Sequence, residues 1–521
     1  MEFVKSFIKF DNKIVVEAKG SAGGLCIMWK RGLDICGVEF DKNMIAVKVT
    51  DKCTDWLLIG FYGPPYQAKK RKAWGNLCAL LESHQGPWVC IGDFNFIINE
   101  EEQIGGNRGG SSGEKYLKEL MFEFNAVDLG YSGNKFTWAR GNWGKAAIKR
   151  RLDRGVASIS WRLAFPKAVM SHLGVIKSDH APILLDTNPS DSFAHRPFRF
   201  EAVWLRDERC SSVIENAWNE NVAGSDFTKL YKKQGATRDA LRKWNKEVFG
   251  HCQNRINTLL KKIKEVQDKL PSRENERVEN VLQIELSEWL LRSEVIWWQK
   301  SRELWLKLGD KNSKFFHLST IIRRRSNNID AIKAEDGAWI HESNQIRTLF
   351  QDSFVNLFIE DDTDFPEHLE HLILLCITEE ENEILQSIPT PEEIRTVLFQ
   401  MQDLKAPGPD GFPALFYKHL WPTVGNDMIK AMTSFFTMGS MPREVNASLI
   451  VLIPKISNPT FVNHFRPISL CNVVYKIISK LLVENIRPLL DKIRPLLNKM
   501  ISPAQSAFIP NRWIAENQII V

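Results

Sequence analysis

The sequence predicts a multidomain chain. It opens with an α/β sandwich of mixed or antiparallel sheets and continues into a long helical region and a last segment of helices and strands. Three observations point there. Up to about residue 188, short apolar runs are punctuated by Gly, Pro and Asp, as in strands of roughly five to seven residues. Two stretches within that region carry apolar residues at helical spacing instead. From about residue 189 the pattern lengthens into charged segments of helical period, with Lys and Glu interspersed as on solvated faces. A chain of 521 residues has room for roughly two to four domains, each burying its own core.

Composition narrows the function classes. A formal net charge of +6 permits a nucleic-acid partner without requiring one. Nine Cys with no Cys-x-x-Cys pair argue against a zinc module and a disulfide framework, and no disulfide-linked partner is expected. Met1–Lys5 begins no secretory signal, and no run reaches the roughly 20 apolar residues that span a bilayer. The expectation is an intracellular protein of nucleus or cytoplasm with no membrane partner. The 17 Trp serve either packing or stacking on bases and sugars.

In the first segment, strands are expected at Lys13–Glu17, Gly24–Trp29, Met44–Val49 and Trp56–Tyr62, and helices at Lys70–Leu81 and Gly113–Phe124. The central stretch is Trp88-Val89-Cys90-Ile91-Gly92-Asp93-Phe94-Asn95, a buried strand running into polar residues. If the strand stays extended, Asp93 and Asn95 point the same way and Phe94 points back. A carboxylate beside a carboxamide suits a hard cation, a fixed water or a phosphate, and it is equally common turn chemistry. Tyr62, before Gly63-Pro64-Pro65, either offers its hydroxyl to a phosphate or caps the core. Lys149-Arg150-Arg151-Leu152-Asp153-Arg154 reads as a solvated charged face. Asp179 and His180 sit before an apolar strand, as an acid–base pair or as structural residues.

Taken in order, Tyr62-Gly63-Pro64, Gly92-Asp93-Phe94-Asn95, Arg151-Leu152-Asp153-Arg154 and Ser178-Asp179-His180 resemble the motifs of the endonuclease/exonuclease/phosphatase superfamily. The resemblance implies a four-layered α/β sandwich that cleaves phosphodiesters with Mg²⁺. It gives Asp93 the attacking water, Asn95 the water and phosphate beside it, and Tyr62 a phosphate contact. His180 would stabilise charge on the scissile phosphate, Asp153 would orient the imidazole, and Asp179 would sit at the metal. Phe136-Thr137-Trp138 resembles the aromatic strand bordering the DNA-facing surface. The family's earlier Asn-bearing strand and Glu-Thr element, whose Glu is the principal metal ligand, have no counterpart before Phe10-Asp11-Asn12-Lys13. The expectation is a chain that begins after them, binds Mg²⁺ poorly and is impaired as a nuclease.

In the middle segment, helices are expected over Ser211–Val222, Thr228–Phe249, Gln253–Leu270 and Arg273–Leu306, forming a spacer or an antiparallel hairpin. A basic run interleaved with aromatics follows, with Lys307, Lys311, Lys314, Phe315, Phe316, Arg323, Arg324 and Arg325. Such a run suits a single-stranded nucleic acid or simply ends a helix. A hairpin around Asp336-Gly337, a helix over Asn344–Leu357 and an acidic loop at Glu360–Asp364 come next.

In the last segment, Thr390-Pro391-Glu392-Glu393 starts a helix. A rigid loop follows at Lys405–Pro413, then a helix over Asp427–Met438, a strand over Ala447–Pro454 and a helix over Val474–Leu490. Lys405-Ala406-Pro407-Gly408-Pro409-Asp410-Gly411, Phe465-Arg466-Pro467-Ile468-Ser469-Leu470 and Gln505-Ser506-Ala507-Phe508-Ile509-Pro510-Asn511-Arg512 resemble the α+β fingers of a reverse transcriptase from a plant non-LTR (LINE-type) retrotransposon. That resemblance implies DNA and RNA partners, with Lys455 and Arg466 near template or nucleotide phosphates and Arg512 by the template. The expected order is an endonuclease-like domain at 1–188, a helical linker at 189–385 and truncated fingers at 386–521. The chain stops at Val521, before the palm carboxylates of a polymerase, so no DNA synthesis is expected. The alternatives are a non-catalytic nucleic-acid-binding remnant and a residual Mg²⁺-dependent phosphodiesterase.

Overall fold

The computed structural model describes residues 1–18, 24–51, 54–106, 114–141, 147–175, 178–189, 197–301, 313–359, 378–456 and 458–493. The chain forms two compact units, and neither is a single consecutive segment. One holds Met1–Ala194, Asn312–Ile359 and Leu452–Arg466; the other holds His195–Lys311, Glu360–Val451 and Pro467–Val521.

The first unit begins with α1 (Glu2–Phe7) and the strands β1 (Asn12–Val16), β2 (Leu25–Trp29), β3 (Asp34–Phe40), β4 (Met44–Thr50) and β5 (Asp55–Tyr62). Then come α2 (Gln67–Ser83), β6 (Trp88–Asp93), β7 (Gln103–Ile104), α3 (Glu114–Glu123), β8 (Ala126–Asp128) and β9 (Ser132–Gly133). The segment closes with β10 (Trp138–Arg140), β11 (Ile148–Arg150), β12 (Asp153–Ser158), α4 (Ile159–Ala164), β13 (Val169–His172) and β14 (Ile183–Asp186). Six strands make the main sheet in the order β3-β4-β5-β6-β12-β8. Only β5 and β6 pair in parallel within it, because α2 carries the chain back across one face between them.

Alternation along the strands sorts the two faces. Leu57, Ile59, Phe61, Trp88 and Cys90 pack against Ala73, Trp74, Leu77 and Leu80 of α2 and Leu117 and Leu120 of α3. Val89 and Ala157 point the other way, onto Trp161 of α4 and Met170 of β13. The second sheet, β14-β13-β9, therefore lies over the face that α2 leaves open. Each of the buried Leu, Ile, Val, Phe and Met side chains among these contributes roughly 1.5–3 kcal/mol. Trp74, Trp88 and Trp161 are all buried here, which places them in packing rather than base stacking.

One glycine makes the central pairing possible. Gly92 has φ +149°, and a Cβ there would stand 2.1 Å from the Phe61 carbonyl oxygen. Only glycine lets β6 approach β5 this closely immediately before Asp93.

The basic run before Asp153 is not a solvated face. Lys149 is exposed, but Arg151 and Arg154 are buried. Arg151 pairs with Glu102 at 2.9 Å and Asp128 at 2.8 Å, and Arg154 pairs with the same carboxylates at 2.9 and 3.0 Å. Burial pushes both carboxyl groups up, and the two guanidinium groups outweigh it and hold them below their usual range. Two cations and two anions close on one another, so the cluster is tolerable in the core only as a complete set.

Later chain completes this unit. The helix Ser313–Ser326 contacts α4. Ile332, from the expected hairpin, shares a small core with Ile346, Phe350 and Phe465.

The second unit is helical around one core containing Phe198, Trp204, Trp218, Leu241, Trp289, Val397, Phe416, Met428 and Ile477. Its helices include Glu208–Trp218, Asp226–Trp244, Cys252–Gln267, Arg273–Ser301, Pro391–Gln400, Trp421–Met438 and Val473–Ile493. The middle-segment helices are thus part of a core rather than a plain spacer. Trp218 Nε1 donates to Asp427 at 2.8 Å, and Gln234 donates to the Tyr417 hydroxyl at 2.8 Å. Thr390 caps its helix as expected, accepting from Glu393 N at 3.3 Å while Glu393 accepts from Thr390 N at 2.7 Å. The Lys405–Pro413 loop is packed inside this unit. A Cβ on Gly408 would meet Asn472 N at 2.4 Å, and Asp410 N donates to Asn472 Oδ1 at 3.1 Å.

Candidate active site

Three strand ends bring the polar residues together. Tyr62 is the last residue of β5, Asp93 the last of β6 and Asp153 the first of β12. Register pairs Tyr62 with Asp93 and Asp93 with Asp153, so the three stand in one row. All three share the face of Val89 and Ala157, opposite α2, by strand alternation.

Asn95 reaches Asp93 by a turn, not by alternation along the strand. β6 stops at Asp93, and Asn95 has φ +56°. Its main-chain N–H donates to Asp93 Oδ1 at 2.9 Å, and its Nδ2 donates to Asp93 Oδ2 at 2.7 Å and to the Gly63 carbonyl at 2.8 Å. Asn tolerates this left-handed conformation because its short polar side chain bonds locally. Phe94 is buried between Phe61 and Trp74, which locks the turn from below. Burial, then the neighbouring Asp153 charge, push the Asp93 carboxyl up to about 6.

His180 comes from the loop before β14. Its Nδ1 lies 2.9 Å from Asp153 Oδ2, and this bond raises the imidazole above its ordinary value despite partial burial. Asp153 is itself set by a residue that motif reasoning did not single out for this task. Buried Thr137 accepts from Leu152 N at 3.0 Å and from Asp153 N at 2.9 Å. Trp138 pairs with His180 as an isolated bridge, and its Nε1 donates to Asp179 at 3.0 Å. Asp179 is exposed, and that bond holds its carboxyl below the usual range. Burial, then Asp93, raise the Tyr62 phenol.

Lys70, in the first turn of α2, was not legible as a site residue. It is buried, with Nζ 3.4 Å from the Asn95 carbonyl and 5.3 Å from the Phe96 ring centroid. Burial lowers its ammonium and Asp93 opposes that. In the sequence it is one of several basic residues opening a helix, with nothing to distinguish it.

The donor set does not fit an enclosed Mg²⁺ cage, which asks for six oxygens in near-ideal octahedral order. Both Asp93 oxygens are taken by Asn95, one Asp153 oxygen faces His180 and one Asp179 oxygen faces Trp138. Among the described residues, no group of three or more His, Cys, Asp or Glu side chains is placed to hold a metal.

Not all of the expected nucleic-acid contacts fall on described residues. Lys307, Lys311 and Arg512 lie outside the described residues, as does the side chain of Lys314. Arg323, Arg324 and Arg325 end the helix Ser313–Ser326, and Arg325 is paired with Asp330. Phe316 is buried and therefore no platform for a base. Lys455 donates to the Asn463 carbonyl at 2.8 Å, and Arg466 is exposed on the strand Phe465–Cys471. No described helix is long and apolar enough to cross a membrane.

No family model matches the chain. The transposon TX1 uncharacterized 149 kDa protein of Xenopus laevis is 24% identical over 503 residues, covering 92% of this chain and 37% of that protein. The endonuclease domain of TRAS1, a telomere-specific non-LTR retrotransposon, aligns over 36% of this chain and 89% of its own, with 12% identity and TM-score 0.28. An endonuclease/exonuclease/phosphatase family protein from Leptotrichia buccalis C-1013-b aligns over 36% and 75%, with 14% identity and TM-score 0.25. TDP2 from C. elegans aligns over 34% and 59%, with 13% identity and TM-score 0.23. The chain spans little more than a third of its curated relative, and along nearly all of its own length it is similar to a transposon-encoded protein.

Proposed function

We propose that the first unit is a phosphodiester-directed site of the endonuclease/exonuclease/phosphatase type, within a LINE-type retrotransposon protein whose later part corresponds to reverse-transcriptase fingers. The observation that carries this reading is the row Tyr62–Asp93–Asp153 with His180 bonded to its end. In that row Asp93, held by Asn95, takes a proton from water at its carboxylate. His180, kept protonated and oriented by Asp153, donates to phosphate oxygens as their charge grows. Tyr62 adds a hydroxyl donor. The similarity to a transposon protein over 92% of the chain supports the retrotransposon assignment.

The carboxylates of this row are already engaged by protein donors, so cleavage by this chain is slow and DNA or RNA is bound more readily than cut. A nicking assay on supercoiled plasmid with Mg²⁺ tests the first part. Weak cleavage abolished by Asp93→Ala supports the reading, and cleavage indifferent to Asp93 overturns it. The second reading, a binding remnant without chemistry, is favoured by the exposed basic side chains of Lys455 and Arg466. Filter binding with a steep salt slope and no cleavage would select it.

A further inference from the structure

The first unit contains a polar cavity that shares no residue with the row above. It has a volume of about 220 Å³ and is lined by residues including Tyr131, Arg162, Arg325, Asn328, Trp339 and Asn458. Liquid water occupies about 30 Å³ per molecule, so the space admits a phosphate group. Most charges around it are balanced. Asp128 is shared between Arg151 and Arg154, and Asp330 accepts from both Arg325 and Asn328.

Arg162 is the exception. It is 2% exposed and bears no ion pair with a carboxylate among the described residues. Its Nη1 donates to the main-chain carbonyls of Ala168 at 2.8 Å and Phe165 at 3.5 Å. Carbonyl dipoles satisfy some N–H groups but leave the net charge uncancelled. Burial, then repulsion from Arg325, lower the guanidinium to about 10. A buried cation without a counter-charge is costly, and an anion entering the cavity would remove that cost.

We propose that this cavity binds a tetrahedral phosphate-class anion, a mononucleotide phosphate or a strand phosphate, gripped by the Arg162 guanidinium. A planar guanidinium fork matches phosphate and carboxylate oxygens alike. The choice of phosphate rests on charge: a phosphate brings more negative charge to the buried guanidinium than a carboxylate does. Arg325 and Asn328, held by Asp330 in the empty cavity, add donors only on releasing it.

The test uses the full chain and calorimetric titration with inorganic phosphate, a deoxynucleoside monophosphate, a short single-stranded oligonucleotide and acetate. Phosphate is expected to bind and acetate not. Arg162→Met should weaken phosphate at least tenfold at one site, and that Arg162-dependent site should persist in His180→Ala, which separates this cavity from the carboxylate row. Asp330→Asn frees the Arg325 guanidinium and should tighten phosphate severalfold, an increase that a misfolded variant cannot produce. Preference for the monophosphate or for the oligonucleotide names the source, and either supports the proposal. No phosphate binding, equal acetate binding, binding unaffected by Arg162→Met in folded protein, or loss of the Arg162-dependent site in His180→Ala overturns it.

Discussion

Asn95 closes on Asp93 from two directions: its main-chain N–H takes one carboxylate oxygen at 2.9 Å and its carboxamide takes the other at 2.7 Å. The clamp holds the carboxylate at the end of β6 and supplies hydrogen bonds that partly offset its burial. Asn95→Ala removes two side-chain bonds and leaves an Ala at φ +56°. The expected loss is about 2–4 kcal/mol in urea unfolding. Asn95→Gly should recover about 1 kcal/mol of it, since glycine accepts that φ freely. Equal losses in the two variants would show that backbone conformation contributes nothing.

Asp93 itself is placed at a cost to the fold. Its carboxyl is raised from 3.8 to about 6, so between those values the folded state holds a proton that the unfolded state has released. Stability from this group is full below pH 3.8 and lost as pH rises through about 6. Asp93→Asn should therefore stabilise the protein above pH 7 by about 1–2 kcal/mol, less than the full cost of ionising the raised carboxyl because one Asn95 bond is lost. The advantage should vanish in acid. A Tm difference independent of pH would contradict this.

The His180–Asp153 pair gives the same sign for a different reason, because here the charged form is the one that the fold favours. Because the hydrogen bond raises the imidazole, its contribution is full below the ordinary His value of 6.5 and lost as pH rises through the higher folded value. NMR titration of His180 should show a midpoint above 6.5 in the parent protein. In Asp153→Asn the midpoint should fall, because burial then dominates. An unmoved midpoint would remove Asp153 as the residue that keeps His180 charged. Combined with Asp93, any hydrolytic activity should be confined to a window between the two titrations.

Arg154→Met should cost about 3–5 kcal/mol, as it strands Glu102 and Asp128 beside a single remaining cation. Both carboxyl groups are held below their ordinary values, so the network's contribution is present above the unfolded values and fades as pH falls through the folded ones. The variant's deficit, read by chemical unfolding, should shrink in acid. A constant deficit would mean that Arg154 acts only by filling space.

Gly92→Ala places a methyl 2.1 Å from the Phe61 carbonyl oxygen at φ +149°. The strands β5 and β6 must then separate, at an expected cost of about 4 kcal/mol or more. Limited proteolysis should show an opened first unit. Parent-like resistance would show that the pairing yields easily.

The sequence by itself determined the local elements and the polar motifs. Short apolar runs bounded by turn formers marked Trp56–Tyr62 and Trp88–Asp93 as strands, and Thr390-Pro391 marked a capped helix start, because these signals lie within a few residues of one another. It also selected Asp93, Asp153 and His180, though not the distances between them.

Only the tertiary structure decided which residues meet. Arg151 and Arg154 look like surface charges until β8 and Glu102 close over them. Lys70 and Thr137 gain meaning only from Asn95 and Asp153, which lie 25 and 16 residues away along the chain. Arg162 gains its place only once α4 lies against the helix Ser313–Ser326. Burial and charge compensation depend on neighbours distant in sequence, and no window along the chain contains them.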